Sequence, residues 1–130
     1  MELPEFAPGL SARVELTVTD ADTAQSLGSG DVPVLGTPRV LALAEAATVA
    51  ATARQMPGGL TTVGTRAEVE HQAATPVGRL VTAMATLAKV DGRKQLFEVV
   101  ISDGDTPVAE VRVERMLLDR QRFIARALGA

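Results

Sequence analysis

Alternation of apolar and polar residues predicts five strands in this chain. Segment 12–19 places apolar side chains on one face and polar ones on the other, the period of two expected of a half-buried strand. Four more strand-like segments follow with short connections between them: 61–71, 79–90, 94–102 and 107–118. Asp91-Gly92 and Asp103-Gly104 are typical of tight turns between successive strands. The pattern predicts an antiparallel meander.

One long helix is predicted between the first strand and the meander. Thr37 is the expected N-cap, Pro38 suits the first helical position, and Pro57-Gly58-Gly59 ends the helix. Between residues 40 and 53 the only charged residue is Glu45. A helix that is apolar nearly all round is buried on most sides.

This order of elements indicates an α+β fold in which a long buried helix is wrapped by a curved antiparallel sheet of about five strands, the hotdog architecture. The tail, 119–128, has the spacing of a short helix. We expect residues 1–130 to form a single domain with its own core. Because at least one sheet edge stays open, we also expect a homodimer.

Composition excludes several classes of function. The net charge of −3 argues against a nucleic-acid-binding surface. The chain has no cysteine and one histidine, so thiol nucleophiles are excluded and a zinc site is not expected. The longest apolar stretch is shorter than the roughly 20 residues of a membrane span, and the first residues lack the pattern of a secretory signal. We expect a soluble cytoplasmic protein that does not bind membranes.

Three titratable residues interrupt the apolar pattern. Glu45 lies in the predicted buried helix, His71 on the inward face of a strand at its end, and Arg115 on the inward face of the last strand. An unpaired buried charge costs several kcal/mol, so each group needs a partner or a chemical role. Structural interpretations also exist, because Glu45 and Arg115 can form ion pairs and a histidine at a strand end is commonly exposed.

Two smaller residues stand near these groups. Thr37 is first of all a helix cap, but a capping hydroxyl also lies beside backbone N–H groups that stabilise developing negative charge. Strict alternation places Gly64 on the face opposite His71. A glycine there lets another group approach the backbone closely.

Three segments resemble the fluoroacetyl-CoA thioesterase-like branch of the hotdog superfamily: "VLGTPRVLALAE", "VGTRAEVEHQAATPVG" and "VERMLLDRQRF". The most specific is the H-x-A-A-T-P-x-G pattern that begins at His71. The resemblance implies a catalytic set of Thr37, Glu45 and His71, with the threonine and glutamate eight residues apart. It also implies substrate contacts from Gly64 and Arg115.

The resemblance implies an acyl-CoA thioesterase that needs no cofactor, since coenzyme A is part of the substrate. No aromatic residue lies between Phe6 and Phe97, so the loop 26–36 cannot supply an aromatic lid. Relatives selective for the fluorinated acyl group look to use phenylalanines there. We therefore expect a different small or medium acyl group.

Several alternatives stay open at this point. Glu45 could attack the thioester directly or activate water as a general base. The chain could instead be a non-catalytic acyl-CoA-binding module, or a dehydratase that acts on a 3-hydroxyacyl thioester. The sequence does not choose between CoA and a carrier protein as the acyl carrier, nor does it define assembly beyond the dimer.

Overall fold

The computed structural model describes residues 3–129 and contains one antiparallel sheet with the strand order β1-β3-β4-β5-β2. The strands are β1 (Ser11–Thr17), β2 (Leu60–His71), β3 (Leu80–Asp91), β4 (Lys94–Asp103) and β5 (Thr106–Asp119). The helices are α1 (Ala24–Leu27), α2 (Thr37–Thr52) and α3 (Arg120–Ala127). The predicted α+β fold with five antiparallel strands is confirmed.

The core lies between α2 and the sheet. α2 contacts all five strands, so the sheet curves around it. The strands β3, β4 and β5 bury nearly every second side chain against the helix, as the alternation predicts. At the centre Leu87 and Phe97 are cross-strand partners and are fully buried. Aliphatic residues and alanine make up nearly all of the remaining core.

Two expectations about α2 are wrong. The N-cap is Gly36, and Thr37 is the first helical residue, so its hydroxyl is not used as a cap. The helix is also less buried than predicted, because Ala42, Ala46 and Val49 form an exposed face. Within residues 3–129, none of the helices is both long and apolar enough to cross a membrane.

The connection between β1 and α2, residues 18–36, is more ordered than a glycine-rich loop; we call it the strap. It contains a 3₁₀ turn and α1, neither of which was predicted. Hydrogen bonds hold its end in place: Leu35 N donates to Thr75 O at 2.8 Å, and Gly36 N donates to Asp22 O at 2.9 Å. A Cβ at Gly36 would lie 3.0 Å from the backbone of Ala24. Close packing therefore favours glycine directly before α2.

A β-bulge in β2 changes which side chains face the helix. The register against β5 shifts between Gly64 and Arg66, so Thr65 is an extra residue. As a result Thr62 and Gly64 lie on the same face as His71. The prediction that Gly64 lies on the opposite face is wrong, since strict alternation does not hold across an inserted residue.

Phe97→Ala tests the centre of the core. We expect it to lower the free energy of unfolding by about 3–5 kcal/mol, because it removes a fully buried aromatic side chain and leaves a cavity. Val100→Ala is the control, since Val100 lies on the same strand and is half exposed; its effect should stay within about 0.5 kcal/mol. Urea unfolding at a fixed protein concentration measures both. Equal losses for the two variants would contradict the assigned core.

Candidate active site

Thr37 and His71 meet at the start of α2. Thr37 is the first helical residue, and His71 is the last residue of β2, where it pairs with Ala109 of β5. The Thr37 Oγ1 and His71 Nδ1 atoms are 2.8 Å apart. The two residues are 34 positions apart, and only the family resemblance, not local periodicity, groups them together. The strap and the loop after β2 bring the two elements together.

The second ring nitrogen of His71 has no partner. Its Nε2 atom is buried and makes no hydrogen bond within the described residues. If the Thr37 hydroxyl donates to Nδ1, then Nε2 carries the proton and is a donor; if Nδ1–H donates to the hydroxyl, Nε2 is an acceptor. In both cases one buried polar atom of the ring has no partner among residues 3–129 and is left to bind a group from outside them.

Glu45 and Arg115 form the second pair, in the middle of α2. Arg115 Nη1 donates to Glu45 Oε2 at 3.2 Å. The other guanidinium donors bind Thr62: Nε donates to the hydroxyl at 2.9 Å and Nη2 to the carbonyl at 3.1 Å. Burial lowers the pKa of the Arg115 guanidinium, an effect that the Glu45 carboxylate opposes. Arg115 remains a cation and fixes the carboxylate against β2.

The carboxylate of Glu45 lies directly over the backbone of Gly64. A Cβ at this glycine would overlap Glu45 Oε2 and would also contact Arg115 Nη1 at 3.4 Å. The bulge at Thr65 turns Gly64 toward the helix, and the missing side chain makes room for the carboxylate. Gly64 is therefore a steric requirement of the Glu45–Arg115 pair.

The expected burial of Glu45 is wrong. Its side chain is 40% exposed, whereas that of Arg115 is 7% exposed. α2 turns one face to the outside at this level, since Ala46 and Val49 are exposed as well. The carboxylate is thus held on one side by a buried cation and is open on the other, an arrangement that leaves it accessible to a substrate or water.

The two pairs are separate within one chain. No hydrogen bond in the described part joins Thr37 or His71 to Glu45 or Arg115. Thr37 and Glu45 are eight residues apart in one helix, which is about 12 Å along its axis. The five residues singled out from the sequence therefore lie along one side of α2 as two clusters.

Asp22 of the strap is a residue that sequence reasoning missed. Its carboxylate accepts hydrogen bonds from Thr19 N at 2.7 Å, Thr19 Oγ1 at 2.9 Å and Arg39 Nε at 3.0 Å. Its carbonyl oxygen accepts from Gly36 N at 2.9 Å. Asp22 thereby links the start of the strap to the first turn of α2, next to Thr37. Burial opposes ionisation of this carboxyl, but the hydrogen bonds outweigh it and lower the pKa of Asp22.

Thr62 is the second missed residue. Strict alternation places it on the same outward face as Gly64, and nothing in its own identity marks it as special. The sequence signal was Arg115: a buried guanidinium has five N–H donors that need acceptors, and a neighbouring strand is the nearest source.

The described residues offer no metal site, since no three potential ligands come together in residues 3–129.

Comparison with known proteins gives a consistent result. The model of a family described as fluoroacetyl-CoA-specific thioesterase matches residues 18–121. The fluoroacetyl-CoA thioesterase of Streptantibioticus cattleyicolor is 34% identical over 93 residues, which cover 72% of this chain and 67% of the relative. A solved structure of a fluoroacetyl-CoA thioesterase superposes with a TM-score of 0.88 at 28% identity, covering 96% of this chain and 97% of the other.

A more distant structure supports the fold alone. The hot-dog-like protein of Thermanaerovibrio acidaminovorans is 24% identical and superposes with a TM-score of 0.87, covering 95% of this chain and 92% of the other. These likenesses confirm the hotdog architecture expected from the sequence.

Asp22→Asn tests the link between the strap and α2. Because the pKa of Asp22 is lower in the folded than in the unfolded protein, the carboxylate stabilises the fold above the unfolded pKa. This contribution is lost as the pH falls through the folded pKa. We expect the variant to lose about 1–3 kcal/mol at pH 7 and to approach the wild type in acid. Thermal unfolding from pH 7 to pH 3 measures the difference.

The matched control is Asp20→Asn, which alters an exposed carboxylate in the same 3₁₀ turn. It should change the unfolding temperature little at any pH. A loss for Asp22→Asn that is the same at pH 7 and pH 3 would show that its charge does not provide the stabilisation.

Proposed function

The chain belongs to the fluoroacetyl-CoA-specific thioesterase family, and from that membership we propose that it hydrolyses a small or medium acyl-CoA ester to the free acid and CoA. The observation that carries the proposal is the Glu45 carboxylate. It is held by Arg115, fitted against Gly64 and still open on one side.

Two routes begin at this carboxylate. In the first, a Glu45 oxygen attacks the thioester carbonyl carbon, the carbon–sulfur bond breaks, and CoA leaves as a thiolate; water then cleaves the resulting anhydride and restores the carboxylate. In the second, Glu45 takes a proton from water while the water oxygen attacks the carbonyl carbon, and that proton ends on the departing thiolate. Arg115 keeps the carboxylate in place in both.

Thr37 and His71 supply the remaining polar groups. We propose that the unpartnered Nε2 of His71 either positions water or donates the proton that ends on the leaving thiolate and then regains the proton released by water, with Thr37 fixing the ring through Nδ1. The backbone N–H of Thr37 is the amide at the helix start that suits an oxyanion, because Pro38 has no N–H and Arg39 N donates to Gly36 O.

We also propose a homodimer, formed across β2. This strand is at an edge of the sheet, so one side of its backbone ladder is unpaired, and the exposed apolar face of α2 lies next to it. A second copy bound at this edge would cover the unpaired backbone groups of β2 and the exposed face of α2, and it would border Glu45. It would also bring groups of the partner to a site that one chain divides into two clusters. Higher assembly and a cytoplasmic location stay predictions.

The strap suits a non-aromatic acyl pocket. Its large exposed apolar side chains are Leu27 and Val32, which lie in the segment before Thr37. Aliphatic side chains of this size cannot close over a substrate as phenylalanine rings do. This supports an acyl group other than fluoroacetyl, as the sequence led us to expect.

Glu45→Gln is the sharpest test of the reaction. The amide keeps the size of the side chain and an oxygen for Arg115, but it can neither attack a carbonyl nor take a proton from water. We expect kcat for a panel of short acyl-CoA esters to fall about 10²- to 10⁴-fold. Release of the CoA thiol, followed with a thiol reagent, measures it.

Glu68→Gln is the control, since Glu68 is an exposed carboxylate on the same strand as Gly64. Its rate should match the wild type. Unchanged hydrolysis by Glu45→Gln would refute the mechanism. A wild type that binds acyl-CoA without releasing thiol would favour the binding module, and hydration of an enoyl-CoA would favour the dehydratase.

Gly64→Ala tests the position of Glu45 without changing any catalytic group. The new methyl group overlaps the carboxylate, which can swing away because it is the end of a flexible side chain. We expect the fold to survive and kcat to fall about tenfold or more, since a displacement near 1 Å can cost up to about 10²-fold. Thermal unfolding and thiol release measure the two effects.

Gly58→Ala provides the comparison, because a Cβ at Gly58 meets no atom within 4 Å. It should hydrolyse thioesters at the wild-type rate. A Gly64→Ala variant with full activity would show that Glu45 does not act from the observed position.

A further inference from the structure

Basic side chains without an ion pair collect at one end of the protein. The five arginines paired with carboxylates lie elsewhere: Arg39, Arg66, Arg79, Arg112 and Arg115. The other cations have no carboxylate of residues 3–129 within 4 Å. Most of them lie before β2, in the β3–β4 turn, at the start of β4 or on α3: Arg54, Arg93, Lys94, Arg120, Arg122 and Arg126. This end of the protein therefore carries a local excess of positive charge, although the net charge of the chain is −3.

Three of these arginines line one cavity. Arg93 from the β3–β4 turn meets Arg122 and Arg126 of α3 around a volume of about 420 Å³. Asp119 also lines the cavity, but its carboxylate accepts a hydrogen bond from Arg122 N at 3.0 Å as the cap of α3. The cavity therefore has more positive than negative charge, and its arginines come from two separate elements.

The stability of α3 does not account for this arrangement. Arg120 and Arg122 lie in the first turn of the helix, where its dipole disfavours cations. Arg126 follows Arg122 by four residues, so two like charges lie on the same face and repel each other. An anion bound between them would remove both penalties.

A groove leads from the catalytic carboxylate toward the same end. It has a volume of about 330 Å³ and is lined by Val49, Thr52, Ala53, Met56, Thr61 and Thr62. Val49 is one helical turn beyond Glu45, and Thr62 is the residue bound by Arg115. Thr61 of its lining lies two residues after Gly59, whose carbonyl accepts from the N–H of Arg120, the first residue of α3, at 2.9 Å.

We propose that this basic cavity binds the phosphate groups of the 3′-phospho-ADP part of CoA, with the pantetheine arm in the groove. The inference rests on the proposed function. Arg115 and Arg120 are five residues apart on β5 and its continuation, and the extended pantetheine arm has nearly as many bonds as five residues of extended chain. Arginine forms paired, charge-assisted hydrogen bonds to phosphate. A cavity of this size fits a nucleotide end rather than the face of a folded carrier protein.

The test compares one acyl group on three carriers: CoA, 3′-dephospho-CoA and N-acetylcysteamine, which lacks phosphate. The variant is Arg122→Ala with Arg126→Ala, and the control is Arg13→Ala with Lys89→Ala, two exposed cations away from the cavity. We expect KM for the CoA ester to rise about tenfold or more in the variant, with a smaller rise for the dephospho ester. Its kcat and its KM for the N-acetylcysteamine ester should stay unchanged, and the control should match the wild type.

Titration calorimetry with free CoA gives a readout independent of turnover. The wild type should bind CoA more weakly as salt is raised, and the variant should lose most of this binding. Equal KM changes for all three esters, or no change for the CoA ester, would overturn the inference. If the wild type binds CoA through these arginines but cleaves no thioester, the phosphate site stands and the proposed function fails.

Discussion

The buried guanidinium of Arg115 is the constraint on which the candidate site depends. A cation that is almost entirely removed from water needs acceptors for its donors, and here they come from two elements. Thr62 supplies two from the neighbouring strand, and Glu45 supplies one from α2. The bulge at Thr65 then turns Gly64 toward the helix and leaves space for the carboxylate. Helix, edge strand and last strand are thereby fixed relative to each other at the Glu45 carboxylate.

A second set of contacts fixes the other end of α2. The strap is tied to the loop after β2 by the Leu35–Thr75 hydrogen bond and to the helix by Asp22. Thr37 is thus held from both sides, and its hydroxyl meets His71. In each cluster a polar side chain of α2 is oriented by a residue of the sheet. His71 of β2 contacts Thr37, and Arg115 of β5 binds Glu45. The helix provides the spacing, and the sheet and strap provide the orientation.

The alternation of apolar and polar residues and the helical spacing predicted most of the fold but only part of the candidate site. Strands, the long helix and the inward direction of Arg115 follow from alternation over several residues, and the structure confirms them. The predicted face of Gly64 was wrong because one extra residue reverses the alternation; the sequence signal for that bulge is the isolated glycine inside the strand. The role of Thr37 as a cap was wrong because a contact with His71, 34 residues away, decides where its hydroxyl points. Asp22 and Thr62 act through such distant contacts as well.

The position of β2 has a consequence for how the protein loses its site. Within one chain this strand is held by β5 on one side only, and it carries Thr62, Gly64 and His71. Edge segments open locally at a lower free energy than the central strands, and each such opening exposes backbone amides to hydrogen exchange. Opening of β2 would separate His71 from Thr37 and would remove Thr62 and Gly64 from the Glu45–Arg115 pair, while β3, β4 and β5 stay folded. In a single chain, the lifetime of the assembled site is then set by fraying at this sheet edge, and not by the global stability of the core.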